Sequence, residues 1–369
     1  MIEITDTLNS NIDIFPLVGY NNSDVVFFDI ETTGFSPKST TVYLIGCIYY
    51  EDSSWVSKSW FANSPSNEVE VLTHFFDFVQ NFNAIIHYNG EGFDIPYLQK
   101  KATQYNLCDN LKNKVSIDIY KMVSPLRHIF KLENLKLKSI EKFLGINRED
   151  TYNGGELISV YNHYVMSPNE YDYKRLMLHN KEDIYGLLNV VPILSYYSIV
   201  SKRFTVTGSS ILTERTELCY VPKTLCIELK FDTPFPKRIT HAYNEFSFTA
   251  LNQTGTIKVG IYTNELKYFY SNYKDYYYLP YEDTAIHKSV AFYVDKDYRT
   301  RAKAANCYSK KSGRFVPEYN EGITPYFKID YYDKKNYFEL TDDVLSNLDI
   351  MHTYACHIFD VMLEHRREK

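Results

Sequence analysis

Two carboxylates lie two positions apart at the end of an apolar segment. Asp29 and Glu31 belong to FFDIETTG, residues 27–34. Residues i and i+2 of a strand point to one face, so both carboxylates leave the same side of the sheet. Two neighbouring acids are tolerated when they are solvated, protonated or bridged by a cation. The pair therefore predicts either an exposed strand end or part of a metal site.

Two further acids, Asp94 and Asp183, lie where a carboxylate could take part in a functional site. Asp94 lies in HYNGEGFDIPYL (residues 87–98), after a predicted strand and at the opening of a helix. Asp183 follows His179 by four positions in an amphipathic segment, so the two side chains share a helix face. Each also has an ordinary structural interpretation, since acids cap first helical turns and histidines pack in cores. Taken singly, none of them assigns a function.

The elements that must position these residues form an α/β pattern. Three β-rich segments are followed by a helix, a strand and further helices, and Pro192 is expected to bend or end the longest helix. This order predicts an α/β layer with a mixed sheet. The predicted strands are 25–30, 42–50, 55–61 and 84–88, and the predicted helices are 67–79, one from about 93, 139–144 and 171–194.

The second half of the chain has a different composition. Residues 1–200 contain 16 Lys and Arg against 24 Asp and Glu, whereas residues 201–369 contain 24 against 22. This shift predicts two domains, 1–200 and 201–369, the second a β-rich α+β accessory domain. Its strands are expected at 224–231, 243–249 and 256–262, with a hairpin around 333–336. Thr341 is expected to cap a single final helix that ends near Arg366.

Together the acids resemble the DEDD superfamily of 3'–5' exonucleases. The first motif of that family, D-x-E followed by T-x-G, is matched by Asp29, Glu31, Thr33 and Gly34. Its second and third motifs are matched by Asn89, Phe93 and Asp94, and by His179 and Asp183. SIDIYKMV (116–123), LKLKSIEKFLG (135–145) and NRED (147–150) resemble a bacterial branch, the YprB-like proteins. The resemblance covers about residues 20–200 and implies a ribonuclease H-like fold with a mixed five-stranded sheet and flanking helices.

The resemblance also implies a mechanism, which is two-metal hydrolysis of phosphodiester bonds at a 3' end. Two Mg²⁺ or Mn²⁺ ions would be held by the carboxylates of Asp29, Glu31, Asp94 and Asp183. His179 would be the general base, although a histidine in this motif usually stands five residues before the Asp rather than four. Thr33, Asn89 and Phe93 would contact substrate. A binding module without turnover and a structure-selective endonuclease remain open alternatives, as does the choice between DNA and RNA.

The second half offers a candidate surface for a single strand. Residues 268–278 contain six of the 35 tyrosines, and eight Lys or Arg lie in residues 287–316. Aromatic rings stack on bases while cations follow phosphates, so Arg299, Arg301, Lys310 and Lys311 are candidate substrate contacts. The alternatives are a solvated basic face, a β-rich core that uses tyrosine, and contacts between copies of the chain.

Net charge, apolar runs and cysteine spacing indicate the setting in which the protein works. The net charge is -6, so phosphate attraction would need metal ions or a local basic patch. We expect no membrane span, because the longest apolar runs are interrupted, and no secretory signal at the first residues. The six cysteines form no CxxC pair. The scattered cysteines predict a cytoplasmic protein. The resemblance implies that its partner is nucleic acid, most simply a single-stranded 3' end.

Overall fold

The computed structural model describes residues 1–149, 154–213 and 224–364. By its internal contacts the chain divides into two compact units. Unit 1 comprises Met1–Tyr197 with Phe235–Lys237, and unit 2 comprises Ser198–Pro234 with Arg238–Lys369. The carboxylates singled out above all belong to unit 1.

Unit 1 is built on a mixed six-stranded sheet with the order β1-β4-β3-β2-β5-β6. Neighbours among β1, β4, β3 and β2 are antiparallel, whereas β5 is parallel to both β2 and β6. The expected mixed sheet is therefore confirmed, with one strand more than the five expected. The strands are β1 Ile2–Leu8, β2 Val25–Thr32, β3 Val42–Glu51, β4 Ser54–Phe61, β5 Ala84–His87 and β6 Val115–Asp118.

The helices of unit 1 cover this sheet. Aromatic rings fill much of the core: Phe28 of β2 lies 5.5 Å from Phe75, and Tyr43 of β3 stacks on Tyr161 at 4.2 Å. The helices are α1 Phe15–Val18, α2 Glu68–Val79, α3 Asp94–Tyr105, α4 Ile119–Val123, α5 Arg127–Phe130, α6 Leu137–Leu144, α7 Gly154–Met166, α8 Glu170–Asn189 and α9 Tyr197–Val200.

Helix α8 ends before Pro192, as expected, and therefore before the end of the predicted segment 171–194. It stops at Asn189, and Pro192 lies in a 3₁₀ helix, Val191–Tyr196, because proline has no N–H to continue the α-helical pattern. The helical stretch Glu170–Val200 is long and apolar enough to cross a membrane by length and composition. However, 67% of its most apolar window is buried inside the protein, as in a core helix.

Unit 2 is β-rich, as expected. Its described residues form three small sheets, ordered β7-β8-β9, β10-β14-β16-β15 and β12-β11-β13. Its elements are β7 Phe204–Leu212, β8 Thr224–Tyr243, β9 Phe246–Gly260, β10 Tyr262–Phe269, β11 Tyr276–Leu279, β12 Thr284–His287, α10 Lys288–Ala291, β13 Thr300–Arg301, β14 Tyr308–Glu318, β15 Tyr326–Phe327, β16 Asn336–Glu339, α11 Asp342–Ser346 and α12 Leu348–Glu364.

Two sequence expectations for unit 2 are corrected. Residues 243–249 contain a turn between the long strands β8 and β9, not one strand. The final helix is two helices: Thr341 Oγ1 caps α11, and Asn347 Oδ1 accepts the N–H groups of Asp349 and Ile350 to begin α12. The side chain of Asn347 thus restarts the helix. Arg366, expected at the helix end, lies outside the described residues.

Candidate active site

Strand β2 carries the first two acids at its C-terminal end. Asp29 lies opposite Gly46 of β3, and Glu31 lies opposite Leu44. The parallel pairing of β2 with β5 ends at Phe27, so both acids lie beyond the end of β5. Asp29 is half-buried, and Glu31 is 8% exposed. Strand β2 thus places both carboxylates at the C-terminal end of the parallel strands β2 and β5.

Asp94 joins this pair from the first turn of α3. Its Oδ1 accepts a hydrogen bond from the backbone N–H of Ile30, between Asp29 and Glu31, at 3.3 Å. Burial raises the pKa of Asp94 to about 7; hydrogen bonds from backbone N–H groups oppose the rise and the charge of Asp118 adds to it. Near neutral pH both the protonated and the ionised form of this carboxyl group are therefore present.

Helix α8 brings the third motif over the same strand. His179 Nε2 lies 3.4 Å from Glu31 Oε1 and 3.3 Å from Asp183 Oδ2. One ligand atom from each of these three residues lies within 4.8 Å of the other two, a spacing that suits a metal ion. The i, i+4 placement on α8 makes this possible, because both side chains project from one helix face.

The close approach of α8 to the sheet depends on a glycine. A Cβ atom at Gly46 would lie 2.2 Å from Asn180 Oδ1 and 2.9 Å from a methyl group of Ile184. Asn180 is fully buried between His179 and Asp183 along the helix. Gly46, in register with Asp29, therefore sets how near the helix residues come to the strand acids. Nothing local in the sequence marks this glycine within a strand as a contact point.

The four acids share one electrostatic environment. Burial raises the pKa of Asp29 well above its usual value, and the charges of Asp94, Asp183 and Glu31 raise it further. Such a cluster is stabilised by protons or by cations. Oxygen donors are what Mg²⁺ and Mn²⁺ prefer, so Asp29, Glu31, Asp94 and Asp183 fit hard divalent ions in their chemistry.

Arg148 belongs to this cluster, although no local sequence pattern marks it as part of the site. Its guanidinium group pairs with Asp183 Oδ1, with Glu141 Oε2 at 3.1 Å and with Glu182 Oε2 at 3.6 Å. Asp183 therefore turns Oδ1 to Arg148 and Oδ2 to His179. Arg148 stands in NRED, between α6 and α7, and 35 residues separate it from Asp183. Only the tertiary fold reveals the contact.

Glu182, next to Asp183, also contacts Arg148. Its carboxylate pairs with Arg148 and accepts the N–H of Glu149 at 2.9 Å. Glu141, on α6, is 1% exposed, and Gly186 of α8 leaves the room that its carboxylate fills. The two helices therefore meet around one arginine and three acids.

A second group of potential ligands, His87, Glu91 and Asp118, is engaged in structural hydrogen bonds. His87 Nδ1 accepts from the N–H of Gly90 at 3.0 Å. Asp118 Oδ1 accepts the N–H of Asn89 at 2.9 Å and caps α4. Glu91 accepts from Ser116 Oγ at 2.7 Å. These bonds shape the loop that precedes Asp94.

The substrate candidates of unit 1 lie in loops. Thr33 ties the loop between β2 and β3, because its Oγ1 accepts the N–H of Thr41 at 2.8 Å. Asn89 is exposed with φ of 61°, in the turn before α3. Phe93 is half-buried, 6.0 Å from the ring of Phe35, which is 88% exposed. Phe93 immediately precedes Asp94.

The four basic candidates of unit 2 divide into two kinds. Lys310 pairs with Asp283 at 2.5 Å and Lys311 pairs with Glu339 at 2.6 Å, both on β14. The guanidinium groups of Arg299 and Arg301 instead lie over an aromatic ring of β11. The two lysines are thus held by carboxylates, whereas the two arginines stand on an aromatic surface.

Comparison with known proteins agrees with the fold. Residues 26–195 match the model of the RNase_H superfamily, so unit 1 is a ribonuclease H-like domain. The chain is 28% identical over 177 residues to YprB, an uncharacterized protein of Bacillus subtilis strain 168. That match covers 47% of this chain and 42% of YprB, so the chain spans less than half the length of this curated relative.

Solved structures with partial similarity include two DNA enzymes. The family B DNA polymerase of Pyrobaculum calidifontis gives a TM-score of 0.38 at 15% identity, over 68% of this chain and 35% of the polymerase. E. coli exonuclease I in complex with a dT13 oligonucleotide gives a TM-score of 0.32 at 10% identity, over 56% of this chain and 55% of the exonuclease.

Proposed function

We propose that the chain is a metal-dependent nuclease that removes nucleotides from the 3' end of DNA or RNA. One observation carries the proposal: acids from β2, α3 and α8 converge with a histidine, so that Glu31, His179 and Asp183 offer ligand atoms within 4.8 Å of one another. A site used only for binding has no need of buried, mutually repelling carboxylates. The match to the RNase_H superfamily over residues 26–195 supports the same class of activity.

The carboxylates of Asp29, Glu31, Asp94 and Asp183 would hold Mg²⁺ or Mn²⁺. Two such ions, when bound, supply a nucleophile from water at neutral pH and neutralise charge on the phosphodiester and leaving oxygen. Asp94, with a pKa of about 7, gives up its proton when it becomes a ligand. Its hydrogen bond from Ile30 keeps the carboxyl group against β2 during this change.

His179 and Arg148 would act beside the ligands. His179 Nε2 points between Glu31 and Asp183, where it can accept a proton from the attacking water or orient that water. Arg148 is a positioning residue, because its contact with Asp183 Oδ1 leaves Oδ2 directed to the site. A partner of this kind fixes the orientation of a ligating carboxylate.

The experiment is a product ladder. Full-length protein is incubated with 5'-labelled single-stranded DNA or RNA in Mg²⁺, Mn²⁺ or EDTA. We expect fragments that shorten one nucleotide at a time, only with a cation, and protection when the 3' end is blocked. Asp29→Asn should abolish the ladder. Asp77→Asn, which changes an exposed carboxylate on α2, is the matched control and should leave it intact.

Two outcomes would replace the proposal. Cleavage of a circular single strand as fast as a linear one would make the protein an endonuclease with the same carboxylate site. If the protein binds the single-stranded DNA and RNA but cleaves neither with Mg²⁺ or Mn²⁺, it would be a nucleic-acid-binding module.

A further inference from the structure

Most tyrosines of residues 268–278 are packed rather than available to a ligand. Tyr270, Tyr273, Tyr276 and Tyr278 pack around the buried Ala285, Ala302 and Cys307, and Tyr268 packs on a neighbouring cluster. Five of the six tyrosines in residues 268–278 therefore pack in the core of unit 2, which was the alternative interpretation. The remaining one, Tyr277, points to the opposite face of the β12-β11-β13 sheet, because side chains alternate along a strand.

On that opposite face two arginines share one ring. Arg301 lies directly across from Tyr277 in the β11–β13 register. The guanidinium carbons of Arg299 and Arg301 are 4.9 and 4.6 Å from the centre of the Tyr277 ring. Within 1–149, 154–213 and 224–364, no carboxylate lies within ion-pair distance of either guanidinium group. Two guanidinium groups on one ring, without a carboxylate at ion-pair distance, favour an anion from outside the chain.

Four exposed aromatic rings precede these arginines in the chain, and we refer to them as the aromatic patch. Tyr281, Phe292, Tyr293 and Tyr298 are 80%, 77%, 86% and 54% exposed. The rings of Tyr281 and Tyr298 are 5.8 Å apart, and those of Phe292 and Tyr293 are 5.6 Å apart. Arg299 links the two pairs, because it follows Tyr298 and donates to the carbonyl of Ala291, next to Phe292.

The charge of the patch favours one kind of occupant. Residues 288–303 contain five Lys or Arg against two Asp, although the whole chain carries -6. A symmetric contact with a second copy would bring this positive segment against itself. A single strand of nucleic acid fits these groups instead. Its bases can stack on the exposed rings, and its phosphates can pair with the guanidinium groups.

We infer that the aromatic patch of unit 2, with Arg299 and Arg301, binds single-stranded nucleic acid by stacking. This site is distinct from the carboxylates of unit 1 and binds without a divalent ion. It replaces Lys310 and Lys311, which carboxylates already hold, as the main contact of unit 2. Binding tolerates any base sequence, because every base offers a ring face.

Fluorescence anisotropy tests the inference, with full-length protein, a labelled dT20 or rU20 strand, and EDTA present throughout. Without divalent ions the strand stays intact, so the result does not depend on whether the protein cleaves. Phe292→Ala and Tyr293→Ala should each weaken binding by at least about 5-fold. Arg301→Gln should lower the slope of log Kd against log salt by about 0.7, the value for one phosphate contact of a single strand.

Tyr332→Ala is the matched control. Tyr332 is 82% exposed but lies outside the aromatic patch, so its removal should leave Kd unchanged. Unfolding curves that match wild type will show that the variants are folded. Unchanged affinity in the Phe292→Ala/Tyr293→Ala double variant would overturn the inference. Sedimentation that finds a wild-type dimer and a monomeric double variant, with unchanged Kd, would make the patch a contact between copies instead.

Discussion

Replacing Asp94 by Asn should stabilise the metal-free protein, and more so as the pH rises. The pKa of Asp94 is about 7 in the folded protein and 3.8 for an unperturbed Asp. Between these values the folded state holds a proton that the unfolded state has released, so the stability due to this group falls as the pH rises. Because Asn cannot ionise, the stability of the Asp94→Asn variant does not fall with pH through this position. Asn also keeps an acceptor oxygen for the N–H of Ile30.

The size of the effect follows from the two pKa values. At 1.36 kcal/mol per unit, the raised pKa of Asp94 lowers the free energy of unfolding by about 2 kcal/mol at pH 5 and about 4 kcal/mol at pH 8. The stability gained by Asp94→Asn should therefore grow by about 2–3 kcal/mol between these pH values. Relief of repulsion on Asp29, whose pKa is raised by burial and by Asp94, acts in the same direction.

Urea unfolding followed by tryptophan fluorescence is the assay, with EDTA present. The chain has two tryptophans, and both are buried in β4 of unit 1, so the signal reports the domain that carries the site. Asp77→Asn should change stability equally at pH 5 and pH 8. Adding Mn²⁺ should stabilise the wild type more than Asp94→Asn. A gain from Asp94→Asn that is the same at both pH values would refute the reasoning.

Three further substitutions test the site. Arg148→Met should destabilise unit 1 by about 3–5 kcal/mol in the urea assay, because it leaves buried Glu141 without its cation, and adding Glu141→Gln should recover part of the loss; no loss would contradict the pairing. Gly46→Ala should cost about 1–3 kcal/mol and slow turnover, since its Cβ displaces α8, and a fully active variant would refute this close approach. His179→Ala should lower the cleavage rate about 100-fold or more with oligonucleotide Kd in EDTA unchanged, whereas a near-wild-type rate would leave the histidine a structural role.

The sequence was most informative where chemistry depends on local spacing. Asp29 and Glu31 are two positions apart on a strand, and His179 and Asp183 are four positions apart on a helix, so each pair could be placed on one face before the fold was known. The continuous apolar segments also predicted β2 and β3 closely. The first strand was missed because only Ile2 and Ile4 alternate before Thr5, and its role is to pair with β4 at the sheet edge.

Contacts between distant segments could not be predicted in this way. Arg148 meets Asp183 only because α6 packs on α8, and Gly46 matters only because Asn180 approaches it. In unit 2 the composition pointed to aromatic and basic residues, but it could not say which rings are packed. Tyr276 and Phe292 differ in exposure because one lies on the inner face of a sheet and the other follows a short helix.

Titration calorimetry with Mn²⁺ tests the central claim, that the acids of β2, α3 and α8 form a divalent-cation site. We predict two ions per chain at pH 6, with about one proton or more released as Asp94 becomes a ligand, measured by comparing two buffers of different ionisation enthalpy. Fewer protons should be released at pH 8, and Asp29→Asn should remove most of the binding. Absence of Mn²⁺ binding, or binding that is unchanged in both Asp29→Asn and Asp94→Asn, would contradict the claim.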